Sequence, residues 1–289
     1  MTWVETVETM VGAGKRSDLA RERAVVAKAM LADCHLCAHH CGVNRLTGPA
    51  GRCHAGADAR FFSAQIEVSD ELELIPTFAI AMSGCDLRCD FCITGASSWN
   101  AKAGEKPGVR EMAARARRAL DRGARTIMVL GGEPTVHLPA ALELVAALPD
   151  SARLIWKTNA HGSAEARVLL DGMFDVWLAD FKFGNDACAR RLAKVPDYVR
   201  IVRDNLLWAN EHSELIVRHL LMPGHVDCCW RPVAEWLAEN LPGVKVNLRS
   251  GFWPAWHSVR HRELCDVVAA GENALAFEMA RQTGLNLIP

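Results

Sequence analysis

Seven of the eleven cysteines in this chain of 289 residues fall between Cys34 and Cys92, in two groups of different spacing. Cys85, Cys89 and Cys92 stand as C-x3-C-x2-C on one short loop. Three thiolates so placed can bind three irons of a cubane cluster and leave the fourth without a protein ligand. Soft sulfur suits iron–sulfur clusters or zinc, and an open iron is a place where a cofactor or substrate can coordinate. Half of a structural zinc site is the plainer reading, but zinc wants a fourth protein ligand and the loop carries none. Upstream, Cys34, Cys37, Cys41 and Cys53 follow C-x2-C-x3-C-x11-C. Four thiolates complete a closed site, either structural zinc or a second iron–sulfur cluster. His35, His39, His40 and His54 are interleaved with them and could substitute; the four cysteines are the expected ligands.

These groups must be held by the elements around them. A helix over 15–32 precedes the stretch 34–54, which is too rich in turn residues to stay ordered without a staple. Short apolar runs at 77–82, 126–130, 154–157, 176–181, 215–221 and 245–248 read as strands. Helical patterns at 108–122, 138–148, 164–170, 187–210 and 231–240 alternate with them, and a last helix over 273–283 closes the chain. Strand, helix, strand repeated about six times means parallel strands with right-handed crossovers. Such repeats give an open doubly wound sheet or a full or partial barrel, and in each the ligands collect at the C-terminal strand ends. The three-cysteine loop stands at the first of those ends, and Gly131-Gly132-Glu133-Pro134-Thr135 at the second.

Composition narrows the function classes. Thirty-three basic residues against 34 acidic ones leave a formal charge of −1, so no global field draws nucleic acid or an anionic membrane. Charged or turn residues break every apolar run short of the ~18 residues a span requires, and the N-terminus lacks the layout of a signal peptide. The expectation is a cytoplasmic protein with no membrane and no nucleic-acid partner. An odd, clustered cysteine set in a reducing compartment points to metal before disulfides.

The three-cysteine loop, with Phe91 before its last cysteine and GlyGlyGluPro after the next strand, resembles the radical SAM superfamily. The resemblance implies an α/β fold, a partial (βα)6 TIM-like barrel over 74–289, with a small cysteine-rich N-terminal extension over 1–73. It implies that Cys85, Cys89 and Cys92 hold a 4Fe–4S cluster whose open iron takes S-adenosylmethionine. Reductive cleavage would then give methionine and a 5′-deoxyadenosyl radical that abstracts hydrogen from a substrate. Gly131, Gly132 and Glu133 would meet the methionine amino group, and Phe91 would lie near the adenine.

Later segments, TrpLysThrAsn with Thr158 and Asn159, AlaAspPheLys with Asp180 and Lys182, and the strand carrying His219, are similar to strand ends of the pyruvate formate-lyase activating enzymes and their uncharacterised relatives. By that likeness these residues join the cofactor site. A low-potential flavodoxin or ferredoxin is the implied electron donor, and a glycine of a partner protein one implied substrate. No cysteine follows Cys92 where glycyl-radical activases carry a ferredoxin-like insert, so radical modification of a peptide or small molecule is the alternative. A non-catalytic iron–sulfur electron-transfer or sensor protein is the third reading.

The remaining residues take plainer roles. Cys188, Cys228, Cys229 and Cys265 read as small buried hydrophobes, and Trp253 and Trp256 as packing. His225 reads as facing the site.

Overall fold

The computed structural model describes residues 14–69 and 71–289, so the opening segment on which the signal-peptide reading rests lies outside the described residues. The chain divides into two compact units. The first holds residues up to Asp86, Ser97–Thr158 and Gly162–Val176; the second holds Leu87–Ala96, Asn159–His161 and Trp177–Pro289. The eight strands follow chain order in a mostly parallel sheet that does not close into a full barrel, the α/β architecture expected of a partial one.

In the first unit, β1 (Phe61–Glu67), β2 (Thr77–Met82), β3 (Thr126–Gly131) and β4 (Leu154–Thr158) alternate with α2 (Val109–Asp121), α3 (Leu138–Ala146) and α4 (Ala164–Leu170). β2, ThrPheAlaIleAlaMet, is buried at every position, as a strand covered on both faces should be. It pairs in parallel with β3 from Thr77 opposite Thr126 to Met82 opposite Gly131, so the loops after both strands start level. β1 was missed by the sequence reading. It pairs antiparallel with β2, and its polar positions, half-exposed Ser63 and exposed Gln65 among them, hide the strand from an apolar-run search. The helix expected over 15–32 is α1 (Arg16–Ala29). It packs on α3 through small residues, Ala20, Ala24 and Ala27. Arg23, buried, donates to the carbonyls of Leu169, in the last turn of α4, and Asp171 just beyond it.

The second unit runs β5 (Val176–Asp180, all but its first residue in this unit), α5 (Asp186–Ala193), α6 (Tyr198–His212), β6 (Glu214–Leu220), a π-helical turn (Val226–Trp230), α7 (Arg231–Asn240), β7 (Lys245–Arg249), α8 (Ala270–Gln282) and the short β8 (Asn286–Leu287). β6 and β7 pair in parallel, as do β7 and β8. The single helix expected over 187–210 is two. Lys194 leaves α5 in the left-handed conformation (φ 61°), and Pro196 has no N–H to continue the ladder.

Candidate cofactor site

The cysteine loop is braced from both sides of its middle. Within the second unit, Arg88 N donates to Ala193 O (3.0 Å) and Asp90 N to Leu192 O (2.8 Å), while His257 N donates to Asp90 O (2.7 Å). The buried Asp90 carboxylate accepts from His261 Nε2 (2.7 Å), Lys194 Nζ (3.0 Å) and Arg260 Nη1 (3.3 Å). Burial alone would raise its pKa, but the His261 and Lys194 bonds outweigh that and hold it below the ordinary carboxylate value. Asp90 thus fixes the backbone between Cys89 and Cys92. The sequence reading missed it; the one signal was an acid set between two cysteines. Phe91 packs within this unit, its ring 6.0 Å from Phe183 and 6.4 Å from Phe252. Cys92 Sγ lies 3.2 Å from Thr94 Oγ1.

In the first unit the Gly-Gly-Glu strip has a sharper reason for its glycines than ligand approach. Gly132 N donates to Met82 O (2.8 Å) and Glu133 N to Gly84 O (2.9 Å). A Cβ on Gly131 would lie 2.1 Å from Met82 O, and one on Gly132 would lie 2.0 Å from Gly84 O. Only glycine lets the two strand-end loops run this close. Glu133 is buried, and its Oε1 accepts from Thr135 N (3.1 Å), Thr135 Oγ1 (2.6 Å) and Thr158 Oγ1 (2.8 Å). Thr158, at the end of β4, therefore supports the carboxylate of Glu133. Asn159, in the second unit, accepts from His161 N through Oδ1 (2.8 Å).

Asp180, Lys182 and His219 are brought together at the ends of β5 and β6. Lys182 pairs with Asp180, and Arg218 Nε lies 3.7 Å from the same carboxylate. Burial lowers the Lys182 pKa, but Asp180 and the nearby Cys89 thiol more than offset it and the net shift is upward. Lys182 is a half-buried cation held by Asp180, not a freely solvated lysine at a strand end. Its backbone N–H donates to the Tyr198 hydroxyl (2.8 Å). His219 is fully buried and its Nδ1 donates to Phe181 O (2.7 Å). Burial drives its pKa down to about 4, so the ring is neutral at pH 7. That leaves Nε2 as an acceptor, shielded from solvent and with no partner among the described residues.

The upstream quartet lies wholly in the first unit. Cys34, Cys37, Cys41 and Cys53 line one concavity with Leu36, Val43 and Val136. Arg45, 2% exposed, closes it: Nε donates to Ala55 O (3.0 Å), Nη2 to Gly56 O (2.8 Å) and Val136 O (2.7 Å), and Nη1 reaches Cys34 Sγ (3.6 Å). Burial pushes the Cys53 thiol up while Arg45 pulls it down, and burial pushes Cys37 well up. None of the four interleaved histidines lines the concavity.

Three sequence expectations change. Trp253 is 69% exposed and not packed. Cys228 and Cys265 are at the surface, not buried. His225 faces a different group of residues, described below.

The model of the radical SAM superfamily matches residues 80–237. An uncharacterised protein of Methanocaldococcus jannaschii is 31% identical over 273 residues, 91% of this chain and 78% of that one. SuiB of Streptococcus suis, solved bound to the precursor peptide SuiA, matches with a TM-score of 0.50 at 18% identity, over 70% of this chain and 46% of its own. SuiB bound to S-adenosylmethionine gives a TM-score of 0.50 at 17% identity, over 70% and 47%. A radical SAM methyltransferase from Sphaerobacter thermophilus gives 0.51 at 18%, over 72% and 64%. At these identities the solved structures show the fold alone, and the chain spans about half the length of SuiB. The donor set fits the cofactors of this family: soft thiolates on a braced loop, a buried carboxylate among hydroxyls, and an unpartnered, solvent-shielded His219 nitrogen. Among the described residues no helix is long and apolar enough to cross a membrane.

Proposed function

The chain belongs to the radical SAM superfamily and so uses a 4Fe–4S cluster and S-adenosylmethionine; on that premise we propose that it takes a hydrogen atom from a polypeptide substrate. When bound, the two cofactors supply reductive cleavage to methionine and a 5′-deoxyadenosyl radical. The chain's residues hold and orient. Cys85, Cys89 and Cys92 are the cluster ligands. Gly131, Gly132 and Glu133 meet the methionine end, with Thr158 fixing the Glu133 carboxylate. Lys182, kept charged by Asp180, presents a cation to a carboxylate, and the neutral His219 offers Nε2 as an acceptor. Phe91 and Asn159 complete the nucleoside side. The observation that carries this reading is the group at the ends of β5 and β6, a half-buried ion pair beside the buried His219. Such a pair beside a fully buried neutral imidazole, whose Nε2 has no partner among the described residues, is costly to keep without a ligand.

The polypeptide choice is supported by SuiB, whose structure was solved with its precursor peptide. The likeness of Asp180, Lys182 and the β6 segment to activating enzymes supports a narrower form, abstraction from a glycine of a partner protein. A low-potential flavodoxin or ferredoxin is the electron donor in either case.

The test is anaerobic reconstitution with iron and sulfide, followed by reductant and S-adenosylmethionine. Wild type releases 5′-deoxyadenosine, Cys85→Ala releases none, and His219→Phe loses most of it. A fully loaded cluster that releases none turns the protein into an electron carrier or sensor. Deuterated host extract, split into macromolecular and small-molecule fractions, identifies the substrate class. Deuterium must enter 5′-deoxyadenosine from the macromolecular fraction; transfer from the small-molecule fraction overturns the polypeptide reading.

A further inference from the structure

Outside the three-cysteine loop, the second unit gathers three more cysteines and a histidine at one point. Cys188 lies on α5; Cys228 and Cys229 lie on the π-helical turn after β6, with His225 just before it. Cys188 Sγ and Cys229 Sγ each lie 3.9 Å from Cys228 Sγ. His225 Nδ1 lies 3.3 Å from Cys228 Sγ, 3.5 Å from Cys229 Sγ and 3.7 Å from Cys188 Sγ. All four ligand atoms fall within 4.8 Å of one another. We propose that Cys188, His225, Cys228 and Cys229 form a structural zinc site that fastens the segment after β5 to the turn after β6.

The spacing is that of a tetrahedron around one ion. Zn–S bonds of about 2.3 Å and a Zn–N bond of about 2.0 Å give S···S edges of about 3.8 Å and S···N edges of about 3.5 Å. A disulfide would need about 2.05 Å between sulfurs, far below the 3.9 Å seen here. The surroundings are those of a ligand set. The outer nitrogen of His225, Nε2, lies 3.8 Å from Glu263 Oε1 and 3.4 Å from Arg191 Nη2, and Arg191 pairs with Glu263. Glu263 thus stands near the outer nitrogen, where a carboxylate that orients a ligating imidazole belongs, although 3.8 Å is longer than a hydrogen bond. Asn185 Nδ2 donates to Cys228 O (2.6 Å) and lies 3.3 Å from Cys188 Sγ and 3.9 Å from Cys229 Sγ, as an amide stabilising thiolates would. Three thiolates on a dication leave one negative charge, and Arg191 stands beside it.

The local fold serves the site. Consecutive residues of an ordinary helix diverge by about 100°, whereas the wider π turn lets Cys228 and Cys229 close on His225 together. The backbones meet closely as well: a Cβ on Gly184 would lie 2.4 Å from Cys229 O. With four protein ligands the ion has no open position, which is the build of a structural site. The site stands independently of the proposed reaction.

The experiment is zinc and iron counting on the full chain purified without oxygen, with zinc-edge X-ray absorption. Wild type should show zinc with three sulfurs and one nitrogen. Cys188→Ser and His225→Gln should each carry one zinc fewer per chain at unchanged iron, and Cys265→Ser should match wild type. If the buried variants also shed iron, Cys228→Ala at the surface decides, again by the loss of one zinc. Equal zinc in wild type and Cys228→Ala overturns the site. So does iron bound at these ligands, or a Cys188–Cys228 disulfide in the anaerobic protein.

Discussion

Two sets of four soft ligands sit in this chain, and they are built to different sizes. Around Cys188, His225, Cys228 and Cys229 the ligand atoms converge within 4.8 Å. Cys34, Cys37, Cys41 and Cys53 line a single concavity too, but they do not form a group of that tightness among the described residues. The neighbours differ in kind. Behind the tight set stand an ion pair, Arg191 with Glu263, and an amide from Asn185. The wide set is closed by one buried guanidinium, Arg45, whose partners are three carbonyls and a sulfur. A single ion needs ligand edges near ~4 Å, whereas a cluster needs its ligands farther apart. A buried cation also suits a cluster that carries four thiolates.

The largest expected effect follows from that difference. If the quartet holds a cluster, Cys34→Ser lowers iron from about eight to about four per chain and leaves zinc unchanged. Loss of zinc instead would make both sets single-ion sites and end the distinction. Arg45→Leu tests the cation separately. It leaves Val136 O, and the half-buried Gly56 O, without the guanidinium, while Ala55 O keeps its bond from Ala50 N; a buried acceptor so stranded costs roughly 1–3 kcal/mol. Urea denaturation should show a loss of roughly 2 kcal/mol, with zinc still in place.

Arg45 stood in plain view in the CysGlyValAsnArg run, yet nothing in its spacing says that it is buried. Arginine is almost never fully buried unless paired, so sequence alone gives no reason to place it in the interior. The strands were legible for the opposite reason: runs such as ThrPheAlaIleAlaMet admit few readings. The helix break at Lys194 was legible in principle through Pro196, but apolar positions at helical spacing on both sides of it mask the break. The tight metal set was not legible. Cys188 and Cys228 stand forty residues apart, and an adjacent cysteine pair matches no ligand spacing in an ordinary helix. Only the π turn brings the pair to bear. At the candidate cofactor site the glycines were readable, because the close approach of the two loops constrains them locally. Asp90 was not, because its partners Lys194, Arg260 and His261 lie far along the chain.

A second effect, a dependence of stability on pH, is shared by the two units. His137, in the first unit, is fully buried; burial and then Arg45 push its pKa down to about 3, against its bond to Ser83 O. The folded state keeps the ring neutral while the unfolded chain takes up a proton below pH ~6.5. Stability from this group is therefore complete above pH ~6.5 and is lost as pH falls toward 3. The slope approaches ~1.4 kcal/mol per pH unit. His219 does the same in the second unit down to about pH 4. Moving from pH 7 to pH 5 should cost about 2 kcal/mol for each ring. His137→Gln, which keeps a donor toward Ser83 O, should remove about half of that pH dependence in urea melts. An unchanged slope would mean that the ring is not held neutral.

The smallest effect lies at Asn185, which performs two tasks at the tight set. Its Oδ1 caps α5 by accepting from Cys188 N (2.8 Å), and its Nδ2 donates to Cys228 O. Asn185→Ala removes both and should cost about 1 kcal/mol, the ordinary price of a lost cap. Asn185→Asp keeps the cap, since aspartate serves that position as well as asparagine. It removes the donor and sets a carboxylate where an amide lay 3.3 Å from Cys188 Sγ. If the amide serves the helix alone, Asp is neutral and zinc affinity does not change. If it serves the thiolates, Asp binds zinc more weakly than Ala does, because it adds repulsion where Ala only withdraws a hydrogen bond. Competition with a chromophoric chelator measures the order of the two variants. An order of Ala below Asp would leave the amide a helix cap and narrow the tight set to its four ligands and the Glu263 carboxylate.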